Sequence, residues 1–122
     1  MKTASYFTYT GPGRIGISIG APRRCPAGYR LYRTLAPRRD MLSMALEPYR
    51  RIYFDEILGK LDPEKVNRDL HSLAVSHEPV LLCFERPPFT EQNFCHRRMV
   101  AEWLEKHLGV EVPEIGDQES LI

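Results

Sequence analysis

The run Val80-Leu81-Leu82-Cys83-Phe84 is apolar at every position, follows Pro79, and stands between two segments with helical periodicity. A strand with one wet face alternates apolar and polar residues. A run without alternation suits a central strand of a parallel sheet, covered on both faces. Asp62-Pro63-Glu64 upstream is a helix start, with Asp as N-cap and Pro at the first helical position, and Val66, Leu70, Leu73 and Ala74 then line one face to about Ser76. Downstream, Asn93 serves as N-cap for a helix whose stripe is Val100, Trp103, Leu104 and Leu108, closed by Gly109.

The first half supplies the partners of that strand. Ser5–Thr10 is rich in aromatic and β-branched residues and predicts one strand. Gly11-Pro12-Gly13 breaks it, and Arg14–Ile19, with Ile15, Ile17 and Ile19 alternating, predicts another. Gly20 to about Pro37 has no clear period and reads as a long binding loop with room for a short strand. A short helix is expected over Arg39–Ala45, a longer one from Glu47-Pro48 to about Gly59, and a last short strand over Val110–Ile115. The interleaved order predicts an α/β fold: one small Rossmann-like three-layer domain with a partly parallel sheet over residues 1–122, of which 117–122 form a loose tail.

At 122 residues one domain is the expectation. No apolar run is long enough to cross a bilayer, and Met1-Lys2-Thr3-Ala4-Ser5-Tyr6 lacks the apolar core of a signal peptide, so a cytoplasmic protein without a membrane partner is expected. The three cysteines, Cys25, Cys83 and Cys95, are odd in number and show no paired spacing, which predicts reduced thiols. Zinc on Cys83, Cys95, His96 and one more ligand is conceivable, but the spacing disfavours it, and neither metal nor cofactor is expected.

Charge is unevenly spread. Residues 1–54 hold ten Lys and Arg against Asp40 and Glu47, a net +8, while the remainder carries −7. Nine of those ten are Arg, whose planar fork suits phosphate and carboxylate, so an anionic small molecule or nucleotide is the expected partner and nucleic acid the alternative. The competing reading is that the basic half pairs with the acidic half inside one fold. Oligomeric state is not legible.

The chemistry concentrates after the apolar run. Glu85 lies where a parallel strand ends, the edge at which open α/β sheets bind ligands. It reads as a general base or as a structural salt-bridge partner. Cys95, His96, Arg97 and Arg98 open the last helix, where unpaired N–H groups and the peptide dipoles favour anions and thiolates. Cys95 reads as a nucleophile or as a small buried hydrophobe, His96 as its assistant or as a helix-end cap, and Cys83 as core. A cysteine-phosphatase cradle needs a Gly-rich loop between Cys and Arg, and Cys95-His96-Arg97 has none. Pro22-Arg23-Arg24 follows a strand and is expected to bring Arg23 and Arg24 to the same edge, beside Tyr29, Tyr32 and Arg33.

Leu81, Leu82, Cys83 and Glu85, the Pro-containing loop, Cys95-His96-Arg97 and then Ala101-Glu102-Trp103-Leu104 resemble the signature of the domain-of-unknown-function 488 family. The resemblance is strong over 79–108 and weak before residue 50, where an acid expected on the second strand appears as Ser18. It implies that Glu85 and Cys95-His96-Arg97 belong to a site and leaves the reaction open. The expected function is an enzyme acting on a nucleotide, nucleic-acid base or other anionic small molecule, with Cys95, Glu85 and His96 catalytic and Arg97, Arg98, Arg23 and Arg24 binding. The alternatives are a non-catalytic nucleic-acid or acidic-partner module and, third, a redox or metal module using the thiols.

Overall fold

The computed structural model describes residues 1–116. Four strands, β1 (Lys2–Ser5), β2 (Arg14–Gly16), β3 (Arg30–Leu31) and β4 (Val80–Cys83), form one sheet in the order β1-β4-β2-β3 with every pair parallel. The apolar run is central, as its composition demands: all four residues of β4 are buried, with Leu81 opposite Thr3 on one side and Ile15 on the other. Three helices follow the expected order. α1 (Leu46–Ile52) continues through a π-helical turn, Tyr53–Ile57, and a 3-10 turn, Leu58–Lys60, before α2 (Pro63–Ala74) and α3 (His96–Leu108). The segment expected as a helix over Arg39–Ala45 contains a single 3-10 turn, Arg39–Met41.

The α2 start is built as its residues dictate: Pro63 opens the helix and the Asp62 carboxylate accepts the Glu64 N–H at 3.1 Å. Asn93, by contrast, does not cap α3. Cys95 occupies that position, and the Asn93 amide donates to the carbonyls of Arg86 (2.7 Å) and Pro88 (2.9 Å), folding the 84–94 loop onto itself. The first strand lies earlier than its aromatic content predicts. Thr3, Ala4 and Ser5 pair with Leu81, Leu82 and Cys83 of β4 and are wholly buried, and the chain turns after Ser5. The last expected strand reduces to one parallel bridge between Thr3 and Glu114, since Pro113 has no N–H to continue a ladder. The expected tail, 117–122, lies outside the described residues.

One face of the sheet, through Ile15, Ile17 and Leu81, packs on Tyr53, Leu58, Val66, Leu70, Val100 and Leu104 of the helical layer. The other face, through Ala4, Val80 and Leu82, is covered by Tyr6, Tyr9, Ala21, Cys25 and Ile115, all from non-helical segments. The three-layer expectation is therefore corrected among the described residues: helices cover one face only, and loops take the place of the second helical layer. The long loop is held by Arg14, which is buried and donates to the carbonyls of Gly11 (3.0 Å), Pro26 (2.9 Å) and Ala27. Part of the +8 excess is thus spent on architecture.

Candidate functional site

A cavity of about 610 Å³ opens at the C-terminal ends of the adjacent strands β4 and β2. Ser18 to Ala21, continuing from β2, form one wall, and Cys83, Phe84 and Glu85, ending β4, form another. Gln92 to His96, leading into α3, and Tyr49 of α1 complete it with Ser43 and neighbouring loop residues. The volume lies within the usual range for small-molecule sites, and the position is the one expected for a parallel sheet. Glu85 is its one charged lining residue.

Two sulfurs and an imidazole meet there. Cys83, Cys95 and His96 are all buried, and their ligating atoms lie within 4.8 Å of one another. The three reduced thiols expected from the cysteine count are corrected: Cys83 and Cys95 are joined in a disulfide, and Cys25 is the free cysteine. Sequence spacing hid the pair because the 84–94 loop folds back, setting the cap of α3 against the end of β4. Cys83 is thus part of the cavity lining as well as of the core.

The His96 ring nitrogen Nε2 lies 2.7 Å from the Ile17 carbonyl oxygen. A carbonyl only accepts, so Nε2 carries the proton and Nδ1 keeps its lone pair. Burial holds the imidazole down to about 4; the Ile17 carbonyl opposes this and the Arg97 charge adds to it, so the ring is neutral near pH 7. Tyr53 stacks edge-on against this ring at 5.5 Å and ties its own hydroxyl to the Leu35 carbonyl at 2.6 Å. Tyr49, against Phe94 at 5.1 Å, has its hydroxyl pushed well above the ordinary tyrosine value by burial and then by the Glu85 charge. It stays protonated, an aromatic wall carrying a donor.

The arginines do not line this cavity. Arg97 is fully buried: Nε and Nη2 grip Glu114 at 2.9 and 2.7 Å, Nη2 also donates to the Glu85 carbonyl at 2.7 Å, and Nη1 reaches Cys83 Sγ at 3.3 Å. Arg98 donates to Thr3 Oγ1 at 2.8 Å and the Val112 carbonyl at 2.7 Å. Arg97 thus spends its whole fork within the fold and Arg98 one terminal nitrogen, and neither of these expected anion ligands lines the cavity. Arg23 and Arg24 are exposed, two and three residues beyond Ala21 of the lining. Of the expected site residues, Cys95, Glu85 and His96 converge and the four arginines do not.

Sequence reasoning missed Tyr49, Ser43, Gln92 and Phe94 as lining residues, and Glu114 as the partner that fixes Arg97. No local motif marks them. Ser18, noted only as a departure from a motif, faces the cavity, linked to Tyr6 at 2.7 Å and to the Gly20 carbonyl at 2.8 Å.

Fold and cavity together define a small parallel-sheet α/β domain with a sulfur–imidazole floor at its C-terminal sheet edge. Residues 20–104 match the family model described as domain of unknown function DUF488, and the chain belongs to that family. Neither a curated protein nor a solved structure matches it. Among the described residues, no helix is long and apolar enough to cross a membrane.

Proposed function

We propose that the protein is a cytoplasmic enzyme acting on a nucleobase, free or within a nucleotide, with the base in the cavity, Glu85 as acid–base group and Cys95 and His96 at the reacting end. The observation that carries this reading is the cavity itself. It brings a cysteine pair, a neutral imidazole and a single carboxylate together with no lining cation. Such a lining suits a flat, uncharged, hydrogen-bonding ligand better than a polyanion. Tyr49, Phe84 and Phe94 offer flat apolar surface, and Ser18, Ser43, Gln92 and Asn93 offer donors and acceptors. Exposed Arg23 and Arg24, just past the Ser18–Ala21 wall, are assigned to the phosphate when the base comes as a nucleotide.

The test is a panel of bases, nucleosides and nucleoside 5′-phosphates incubated with reduced protein, with turnover followed by mass spectrometry. Glu85→Gln and Cys95→Ser are expected to abolish turnover while leaving the far-ultraviolet circular dichroism unchanged. Arg23→Ala with Arg24→Ala is expected to weaken binding of the phosphates and leave that of free bases intact. Full activity in Glu85→Gln, or no member of the panel bound, would sink the assignment. If duplex or single-stranded nucleic acid bound with steep salt dependence and no turnover, the non-catalytic binding module would replace it.

A further inference from the structure

The geometry points to a site on Cys83, Cys95 and His96 for a thiophilic divalent cation, zinc above all, which forms when the disulfide is reduced. This inference does not depend on the substrate proposed above. Among the described residues, these three form the one group of His, Cys, Asp and Glu side chains close enough together to share an ion, and all three are buried. A tetrahedral zinc needs two sulfurs about 3.8 Å apart and a nitrogen about 3.6 Å from each, from bonds of about 2.3 and 2.0–2.1 Å. Reduction frees the two bonded sulfurs to part to that spacing, and a His96 ring nitrogen already lies within 4.8 Å of both.

Three further features fit a cation rather than a merely packed cysteine pair. First, the Cα atoms of Cys83 and Cys95 are 7.2 Å apart, beyond the 4.4–6.8 Å usually spanned by a disulfide and wide enough for two thiolates to flank an ion. Second, His96 donates Nε2–H to the Ile17 carbonyl, the outer hydrogen bond that metal-binding imidazoles characteristically make, which leaves Nδ1 to coordinate. Third, Arg97 Nη1, 3.3 Å from Cys83 Sγ, supplies a charged donor to one thiolate, and the N-terminus of α3 supplies its dipole to the other, Cys95.

All three residues also line the 610 Å³ cavity, so a fourth coordination position is open to water or substrate. Three protein ligands with one open position is the arrangement of catalytic rather than structural zinc. The two states exchange with balanced chemistry. A dithiol reduces the Cys83–Cys95 bond by two electrons and becomes a disulfide itself. Zinc then displaces the two thiol protons and bonds to both sulfurs. In the reverse direction an oxidised dithiol takes up the two electrons by thiol–disulfide exchange, the Cys83–Cys95 bond re-forms, and the ion, left without both thiolates, is released.

The experiment uses the whole chain, reduced anaerobically with a phosphine and titrated with Co²⁺ and then Zn²⁺. One equivalent of cobalt is expected to bind, with a near-ultraviolet thiolate-to-cobalt charge-transfer band and the intense visible bands of a tetrahedral centre. Zinc is expected to bleach both, and zinc binding to metal-free reduced protein to release protons into weak buffer. The disulfide form is expected to give no such spectrum, Cys25→Ser the full spectrum, and Cys83→Ser or His96→Gln an affinity lower by tenfold or more. Should those variants fail to fold, the unsubstituted protein still decides the matter: zinc is expected to slow alkylation of Cys83 and Cys95 at least tenfold while sparing Cys25 no label. Reduced, folded protein that gives no charge-transfer band, or whose Cys83 and Cys95 alkylate equally fast with and without zinc, would overturn the site. Neither result bears on whether a base binds.

Discussion

Replacing Glu114 by Gln removes one charge from a pair that the fold has enclosed completely. Both side chains of the Arg97–Glu114 bridge are wholly buried, and the contact is a two-pronged fork at 2.9 and 2.7 Å. Gln keeps the shape and strands the guanidinium without a counter-charge, a change that costs about 3–5 kcal/mol in buried pairs. A domain of 122 residues has a total stability of about 6–18 kcal/mol, so the loss is a large share of it. With an unfolding entropy of about 2.1 cal/mol/K per residue, it corresponds to a fall in Tm of about 10–20 °C. The assay is urea unfolding followed by circular dichroism and by the fluorescence of Trp103, the single tryptophan, which is buried in α3. Arg97→Met combined with Glu114→Leu removes both charges and is expected to cost less than the two single changes summed, giving a coupling of at least about 2 kcal/mol. A Glu114→Gln protein within about 1 kcal/mol of the parent would refute the structural role given to Arg97 and reopen its assignment as an anion clamp.

In the disulfide form, His96 is expected to make the protein acid-sensitive. Its folded value of about 4 lies below the unfolded 6.5, so the unfolded chain takes up the proton first and stability falls as pH drops from 6.5 towards 4, by about 3 kcal/mol. Urea midpoints across that window, compared with those of His96→Asn, check this, and equal slopes for both proteins would contradict it. Gly13 has a φ of +80°, and a Cβ there would collide with the Glu78 carbonyl oxygen. Gly13→Ala is therefore expected to lose about 2 kcal/mol or more in the same assay, and an unchanged midpoint would show the turn to be freer than described. Val75, exposed just after α2, holds a φ of +59°, so Val75→Gly is expected to stabilise by about 1 kcal/mol, against the usual direction of a Gly substitution.

The central strand and both later helices were legible because their residues obey local rules. β4 has no polar position to expose, Asp62-Pro63 can hardly do anything except start a helix, and Gly109 sits in the left-handed conformation that ends α3. Illegible features depended on partners distant in sequence. β1 is chosen by what pairs with β4 and not by aromatic content, so Lys2–Ser5 wins over the segment after it. Asn93 has the ideal residue type for an N-cap, yet the loop carbonyls of Arg86 and Pro88 claim its amide. The same reason separates the site residues. Cys95, Glu85 and His96 follow strand and helix ends whose positions the pattern reveals, whereas an Arg beside a helix start looks alike whether it faces a ligand or a buried Glu114. Charge counting sees neither burial nor the backbone carbonyls that hold Arg14 and Arg98.

The bridge from Thr3 to Glu114 also governs the order in which the protein can mature. The family match ends at residue 104, yet Arg97 meets its counter-charge only ten residues later, on a segment docked along the outer edge of the first strand. A nascent chain that has emerged only through α3 already carries every motif residue but leaves a bare guanidinium beneath the cavity floor. Assembly around Arg97 therefore waits on the synthesis of Glu114, and a chain cut back to the recognisable motif would keep the signature and leave that guanidinium without its counter-charge.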